Sequence, residues 1–313
     1  MASRSCLYAY FLLLLVVFQS TSPIKGNSLP PPQCRRVLGT SSEVIQFLLN
    51  FLYLEANLYL YASTGHGIDA VAPGLIQGPA PIGAQIANLD ATTRKMIEEF
   101  GLENVGIIRA IFETKQVNPI QGPLLNLSVE ALGGFANAAF NAELTPTYNT
   151  YATTINFLPA IAAVNSFIRQ YCVGMLPHLA NDDLQVLGTK ILGTVSARFG
   201  ALRTLLYLNA NVIVSPYHFD VATLVDRIAQ LVNRLAMCGV KDEGLIVALQ
   251  LGAENRTTTN VIPGDVNSLA FSRTEREMLR GFYGTGNATL PGGIFPHGVN
   301  GELAEEIVRE RLS

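Results

Sequence analysis

The sequence predicts an all-α protein: a bundle of four long helices with an added fifth helix and a mostly irregular C-terminal region. Two observations support this prediction. Several long stretches of the 313-residue chain carry apolar residues at helical spacing. The sequence also contains neither a run of alternating β-branched residues bounded by turn signals nor the strand–helix–strand rhythm of α/β proteins. Long helices without strands are typical of helix bundles.

The first helix is predicted over Glu43–Ser63, with Ser41 or Ser42 as its N-cap. Its run EVIQFLLNFLYLEANLYLYAS is apolar on nearly every side, so we expect it in the middle of the bundle. The acid Glu55 and the polar residues beside it argue against a membrane span.

The next helices are separated by Gly- and Pro-rich connections, of which residues 64–89 form the longest. Pro159 lies inside the third long stretch, where we expect a kink or a restarted helix. Two short helices are predicted near the C-terminus. The predicted ranges after the first helix are 90–115, Thr150–Val173, Asp183–Asn209, Phe219–Met237, Thr274–Phe282 and Glu302–Arg311.

The N-terminus has the order of a secretory signal peptide: Arg4, then the apolar run Leu7–Phe18, then small polar residues. This run is shorter than the ~20 residues needed to cross a bilayer, so the mature chain is predicted to lack a membrane span. We predict a signal peptide over 1–26, with a boundary between 20 and 28. A Pro-rich link (27–41), the bundle (42–237) and a C-terminal extension packed on it (238–313) follow, and the product is secreted and extracellular.

The charge balance excludes one class of partner. Charged residues make up 14% of the chain, against about 25% in an ordinary soluble domain. The net charge is −3 and no basic cluster occurs. Because nucleic-acid binding leaves a basic patch, the sequence predicts no nucleic-acid partner. It does not indicate an oligomeric state.

Secretion makes two kinds of modification relevant. Sequons for N-glycosylation begin at Asn126, Asn255 and Asn287. After removal of the signal peptide three cysteines remain, which allow one disulfide in any of three pairings or three buried thiols. These cysteines are Cys34, Cys172 and Cys238.

The carboxylates on the helices raise the question of a metal centre. A di-metal bundle needs a Glu from each of two helices and Glu-x-x-His from each of the other two, because residues three apart share a helix face. The first helix offers Glu55, and the second offers Glu103 with Glu99 one turn earlier. The third stretch has no acid, the fourth has none after its first turn, and no histidine lies three residues after a Glu. The count indicates an incomplete di-metal site.

Four segments carry a family resemblance: LNFLYLEANLYLYASTGHGID, EEFGLENVGIIRAI, ILGTVSARFGALRTLL and FYGTGNATLPGGIFPHGVNG. Through them nearly the whole chain resembles the plant desiccation-related proteins, secreted members of the ferritin-like superfamily. The resemblance implies a ferritin-like four-helix bundle, a place in the apoplast or cell wall, and an association with desiccation or drought stress. It also implies cell-wall or matrix components as candidate partners.

The chain departs from the Glu-x-x-His motifs that relatives often carry. Glu55 matches the first-helix glutamate and Glu103 is kept, but Gly106 stands where His would be. On the fourth helix Ser196 stands for Glu and Phe199 for His. The departures imply that no metal cofactor is bound, with iron or manganese as the alternative. A packing hypothesis follows, in which Phe199 helps to fill the space beside Gly106.

A carboxylate buried in an apolar bundle needs a partner, since an unpaired internal charge is costly. The helix-borne candidates to pair with Glu55 and Glu103 are Arg109, Arg198 and Arg203, and the neutral candidates are tyrosine hydroxyls and Asn57.

Three functions stay open at this point. The first is a non-enzymatic protective bundle with a degenerate di-metal site. The second is a metal-dependent oxidase or peroxide scavenger that uses Glu55, Glu99 and Glu103. The third is a binding module in which the connection Thr64–Leu89 covers an apolar pocket in the bundle.

Overall fold

The computed structural model describes residues 32–246 and 258–309. Over these ranges the chain forms nine α-helices and two 3-10 turns (Pro32–Cys34 and Leu176–His178), and its only β-pairing is three isolated bridges. The predicted signal peptide, the start of the Pro-rich link (27–31) and the sequon at Asn255 lie outside the described residues. The helices are α1 (Ser41–Thr64), α2 (Ile68–Val71), α3 (Ala91–Glu113), α4 (Val129–Phe140), α5 (Thr154–Met175), α6 (Asp182–Leu208), α7 (Val221–Ala236), α8 (Glu275–Tyr283) and α9 (Glu302–Arg309).

The prediction for the start of the first helix was wrong by one position. Thr40 is the N-cap: its side chain accepts a hydrogen bond from the backbone N–H of Glu43, whose carboxylate accepts one from the backbone N–H of Thr40. Both bonds need a hydroxyl residue three positions before a Glu. Ser41 and Ser42 are too close to Glu43 to make this reciprocal pair.

The alternative of a helix restarted at Pro159 was wrong, while a kink there stays a prediction. The helix α5 runs without interruption from Thr154 to Met175, and Thr153 caps it by accepting from the N–H of Asn156. Because the helix begins at Thr154 and not at Thr150, Pro159 lies in its second turn. The missing N–H therefore leaves a single carbonyl near the helix start without its helical partner.

The four long helices α1, α3, α5 and α6 form the bundle as two pairs, α1 with α3 and α5 with α6, joined through α1 and α5. At one end Arg94 of α3 donates to the carbonyl of Ser63 on α1 (2.8 Å), so these helices run antiparallel. The Tyr171 hydroxyl near the end of α5 donates to the carbonyl of Val44 near the start of α1 (3.1 Å), so α5 is also antiparallel to α1. In α1, 18 of 24 residues are buried, which confirms it as the central helix.

The remaining helices surround this bundle. The fifth long helix, α7, contacts α4, α5 and α8, while α9 packs on α1. Buried ion pairs hold the residues after α7: Arg273 contacts Asp242 (2.6 Å) and Glu277 (3.3 Å). Within the described ranges no helix combines the length and apolarity needed to cross a membrane.

The structure contains one of the three possible disulfide pairings. Cys34 is bonded to Cys238, and Cys172 on α5 is a free, buried thiol. Burial raises the pKa of the Cys172 thiol to about 12, so this group stays protonated at neutral pH.

Candidate metal centre

Glu55 lies at the centre of the bundle. It sits at the middle of α1 and is completely buried. A carboxylate in such a place keeps its charge only if hydrogen bonds and a positive charge replace the water it has lost. The donors that the surrounding helices present to Glu55 therefore determine its charge and its hydrogen bonding.

Four donors on four helices converge on Glu55. On one carboxylate oxygen, Oε1, it accepts from the Tyr59 hydroxyl (2.7 Å) and from the Asn165 amide of α5 (2.8 Å). On the other, Oε2, it accepts from the Asn104 amide of α3 (3.0 Å) and from the Arg198 guanidinium of α6 (3.2 Å). A carboxylate offers about four acceptor sites, so these bonds saturate it.

Burial and the negative charge of Glu55 raise the pKa of Tyr59 well above its usual range. The phenol is thereby held in its protonated form and acts as a hydrogen-bond donor at any physiological pH. Asn104 and Asn165 are neutral at every pH, so their amide N–H groups donate permanently. At these three contacts Glu55 therefore remains the acceptor, and Tyr59, Asn104 and Asn165 remain the donors, at every physiological pH.

Arg198 supplies the positive charge of the centre. Its side chain is buried, and besides Glu55 it donates to the carbonyl of Phe100 on α3 (3.3 Å). Its Nε lies 3.5 Å from Oε2 of Glu103, an ion pair without a hydrogen bond. Arg198 is thus the one of the three candidate arginines that pairs with both carboxylates.

The other two candidate arginines do not reach the centre. Arg109 is exposed on α3. Arg203 is buried, but it donates to backbone carbonyls after α7, including those of Glu243 (3.0 Å) and Gly244 (2.8 Å). It therefore anchors the C-terminal residues to the bundle instead of balancing Glu55.

Glu103 stands at the rim of the centre, with its side chain 36% exposed. Partial burial raises the pKa of its carboxyl above the usual 4.5, the charge of Arg198 opposes that rise, and the charges of Glu99 and Glu55 add to it. The two retained glutamates therefore differ: Glu55 is saturated with donors, while Oε2 of Glu103 has no hydrogen bond.

The packing hypothesis for Phe199 was wrong. A β-carbon built at Gly106 would meet no heavy atom within 4 Å beyond the backbone of its own helix, so nothing fills the space beside this glycine. Phe199 is buried elsewhere, with its ring under the guanidinium of Arg169 (4.3 Å) and near that of Arg203 (6.0 Å). Ser196 is half-buried on α6. The ring of Phe199 therefore packs against cations of α5 and α6.

These residues do not fit a di-metal centre. No group of three or more His, Cys, Asp or Glu residues close enough to hold a metal occurs in the described part of the chain. The carbonyl oxygens of Asn104 and Asn165 lack partners, but they carry no charge to offset that of a divalent cation. The guanidinium of Arg198, bonded to Glu55, adds a positive charge that repels one.

Two of the four donors to Glu55, Asn104 and Asn165, were not predicted from the sequence, whereas Tyr59 is one of the expected tyrosine hydroxyls. The other neutral candidate, Asn57, donates to the carbonyl of Tyr53 instead. Tyr59 follows Glu55 by four residues on the same helix and shares its face, a signal that was available. Asn104 follows Glu103 in a mostly apolar stretch, and Asn165 lies in a stretch without acids. An asparagine within an apolar helix marks an internal polar contact, but the sequence does not show which group it contacts.

The sequons differ in exposure. Asn126 is half-buried, and its side-chain oxygen accepts from the N–H of Ser128, the cap of α4. Asn287 is exposed, in a loop where its side-chain oxygen accepts from the N–H of Thr289 (2.9 Å). Glycosylation at both stays a prediction, and Asn287 is the more accessible of the two.

Among the described residues, the connection Thr64–Leu89 does not line the apolar cavity of the bundle, contrary to the third functional hypothesis. An apolar cavity of about 80 Å³ does exist, but none of the residues that line it belongs to this connection. It lies mainly between α4, α5, α7 and α8. The connection instead forms one wall of a separate cavity of about 260 Å³ beside α1. Both polar and apolar residues line this cavity.

We predict a strong energetic coupling between Glu55 and Arg198. Arg198→Met should lower the free energy of unfolding by about 3–5 kcal/mol, because it leaves Glu55 buried without a counter-charge. In Glu55→Gln/Arg198→Met the two substitutions should offset each other, with an interaction free energy of about 2–3 kcal/mol in urea unfolding. Arg109→Met, an exposed control, should change stability by less than about 0.5 kcal/mol. Additive effects would show that the pair is not the internal counter-charge.

We also predict that Glu103 titrates above 4.5 in carboxyl ¹³C NMR, because partial burial disfavours its charged form. Glu99→Gln should lower this pKa by removing a nearby negative charge. A raised folded-state pKa gives stability that is present below the unfolded pKa and is lost as the pH rises through the folded one. Glu103→Gln should abolish that part of the pH dependence; a Glu103 pKa below 4.5 would contradict this assignment.

Comparison with known proteins gives the family. A model described as the ferritin-like domain matches residues 40–208, from the N-cap of α1 to the end of α6. The chain is 42% identical over 267 residues to the ferritin-like catalase Nec2 of Nesocodon mauritianus, covering 85% of both chains. It is 36% identical over 269 residues to the desiccation-related protein PCC13-62 of Craterostigma plantagineum, covering 86% of this chain and 85% of that one. No solved structure matches it significantly. These matches confirm the predicted fold and resemblance: the chain belongs to the ferritin-like family.

Proposed function

We propose that this chain is a secreted, non-enzymatic member of the ferritin-like family with a protective role in desiccation stress. In this proposal an internal ion pair stands where a di-metal site would be. The single observation that carries the non-enzymatic part is the saturation of Glu55 by three neutral donors and the guanidinium of Arg198.

In this proposal the hydrogen bonds of Glu55 exclude its use as a metal ligand. Metal-ion catalysis needs a cation held by several anionic ligands and an open position at which substrate binds. Here one of the two retained glutamates has no free acceptor site, and a permanently charged side chain is bonded to it.

Secretion and the stress association have separate support. The signal-like N-terminus and the sequons favour an extracellular site, which in a plant is the apoplast or cell wall. The stress association is favoured by the relative that is named desiccation-related. The protein is not a disordered, highly charged protectant, since 49% of its residues are hydrophobic and its helices bury a continuous core. Protection would then come from its folded surface, acting on cell-wall or matrix components.

A second candidate function is peroxide scavenging with iron or manganese. The observation that favours it is the 42% identity to a relative named as a catalase. The carboxylates available for it are Glu55, Glu99 and Glu103. This candidate requires Arg198 to leave Glu55 so that a metal can enter, and it predicts that activity depends on the carboxylates.

Elemental analysis and a peroxide assay discriminate between the two candidates. The purified mature protein should contain no stoichiometric iron or manganese, and its peroxide consumption should be indistinguishable from that of Glu103→Gln and of Glu55→Gln. Supplying Fe²⁺ or Mn²⁺ during expression should not change either result. Two metal ions per chain, together with peroxide consumption that falls in Glu103→Gln, would establish the enzymatic candidate instead.

A further inference from the structure

A cavity of about 260 Å³, here called the α1 groove, lies against the face of α1 opposite Glu55, since its lining residues Tyr53 and Asn57 are two positions before and after that residue. Nothing in the proposed function uses it. One wall is a face of α1 that presents Tyr53, Asn57 and Tyr61, each four residues after the last. The opposite wall is formed by the Gly- and Pro-rich residues 65–81 and 122–125. The HGID motif, His66–Asp69, lies at its edge.

The walls of the α1 groove are held in place by close contacts. Asn57 donates to the carbonyl of Tyr53 (2.9 Å) and accepts from the N–H of Ile68 (3.3 Å), which ties the motif to α1. A β-carbon at Gly67 would lie 2.6 Å from the Tyr61 ring and 2.7 Å from the Asn57 side-chain oxygen. Only glycine permits this approach, so the groove is formed before any ligand arrives.

Three polar groups that line the α1 groove are available to a ligand. The Tyr61 hydroxyl, the His66 imidazole and the Asp69 carboxylate make no side-chain hydrogen bond to any other residue in the described ranges. Together they offer donors and acceptors within one small cavity. The phenol rings of Tyr53 and Tyr61 add flat apolar surface beside them.

This combination selects one class of ligand. No Lys or Arg lines the α1 groove, so it has no fixed cation with which to hold phosphate, sulfate or an acidic sugar. A purely apolar ligand would leave the three polar groups without partners. A sugar ring has apolar C–H faces and hydroxyl edges, and it matches both kinds of wall. At about 260 Å³ the groove lies just below the roughly 300–1,000 Å³ of ordinary ligand pockets, so it is suited to one sugar ring.

We propose that the α1 groove binds a neutral sugar, with Asp69, His66 and Tyr61 bonding its hydroxyls and the tyrosine rings lying against its faces. The proposal deepens the role of matrix components as partners in the proposed function. It requires no property of the Glu55 centre, so a metal found there would leave it standing. The sugar comes either as a free disaccharide or as the end of a wall polysaccharide.

Saturation-transfer NMR on the full mature protein tests this proposal with cellobiose, maltose and sucrose, and with galacturonic acid as an acidic competitor. Loss of two hydrogen bonds in Tyr61→Phe/Asp69→Ala should weaken neutral-sugar binding at least about tenfold. The matched control Tyr207→Phe/Asp182→Ala changes a half-buried tyrosine and an exposed aspartate that do not line the groove. It should bind like the wild type.

Sedimentation with insoluble cellulose separates the two sources. Retention by cellulose that is lost in the double variant assigns the groove to a polysaccharide end, whereas saturation by disaccharides without retention assigns it to free sugar. The proposal is overturned if no neutral sugar gives a signal with the wild type. It is equally overturned if the double variant and its control bind alike, or if galacturonic acid alone binds.

Discussion

The rest of the structure depends on one buried interaction, the pairing of Glu55 with Arg198 and three neutral donors. A single carboxylate at the middle of α1 accepts hydrogen bonds from side chains on α1 itself, α3, α5 and α6. Because a bonded buried charge tolerates little displacement, this contact restricts the relative positions of all four helices more narrowly than apolar packing does. The apolar faces bring the helices together, and the polar contact selects one arrangement of them.

The same interaction shows how a ferritin-like bundle can balance an internal carboxylate with one of its own side chains. A divalent cation and a guanidinium both neutralise internal carboxylates, but they differ in chemistry. The guanidinium is part of the chain, cannot be removed by chelation, and offers neither an open coordination position nor a redox change. Arg198 therefore neutralises Glu55 with a group that has no redox chemistry of its own. Glu103, half-exposed beside the open space at Gly106, keeps only an ion pair with Arg198.

The sequence was sufficient for the helices and for part of the centre. Apolar periodicity predicted the long helices, and counting acids predicted that Glu55 and Glu103 lack the remaining ligands. The sequence did not show which arginine enters the bundle, because Arg109, Arg198 and Arg203 all lie on bundle helices and only side-chain direction separates them. Phe199 was misplaced for the same reason. The cap at Thr40 was missed although the Thr-x-x-Glu spacing was present, whereas the roles of the asparagines depend on the packed arrangement alone.

Thermal unfolding in the presence of metal tests the central claim most directly. A ligand that binds only the folded state raises its stability in proportion to the logarithm of its concentration over Kd, by about 2.7 kcal/mol at 100 Kd. After treatment with EDTA the protein should unfold at an unchanged Tm, and adding Fe²⁺, Mn²⁺ or Zn²⁺ should not raise it, since Arg198 already neutralises Glu55. A saturable rise in Tm with one of these metals that disappears in Glu55→Gln would contradict the account.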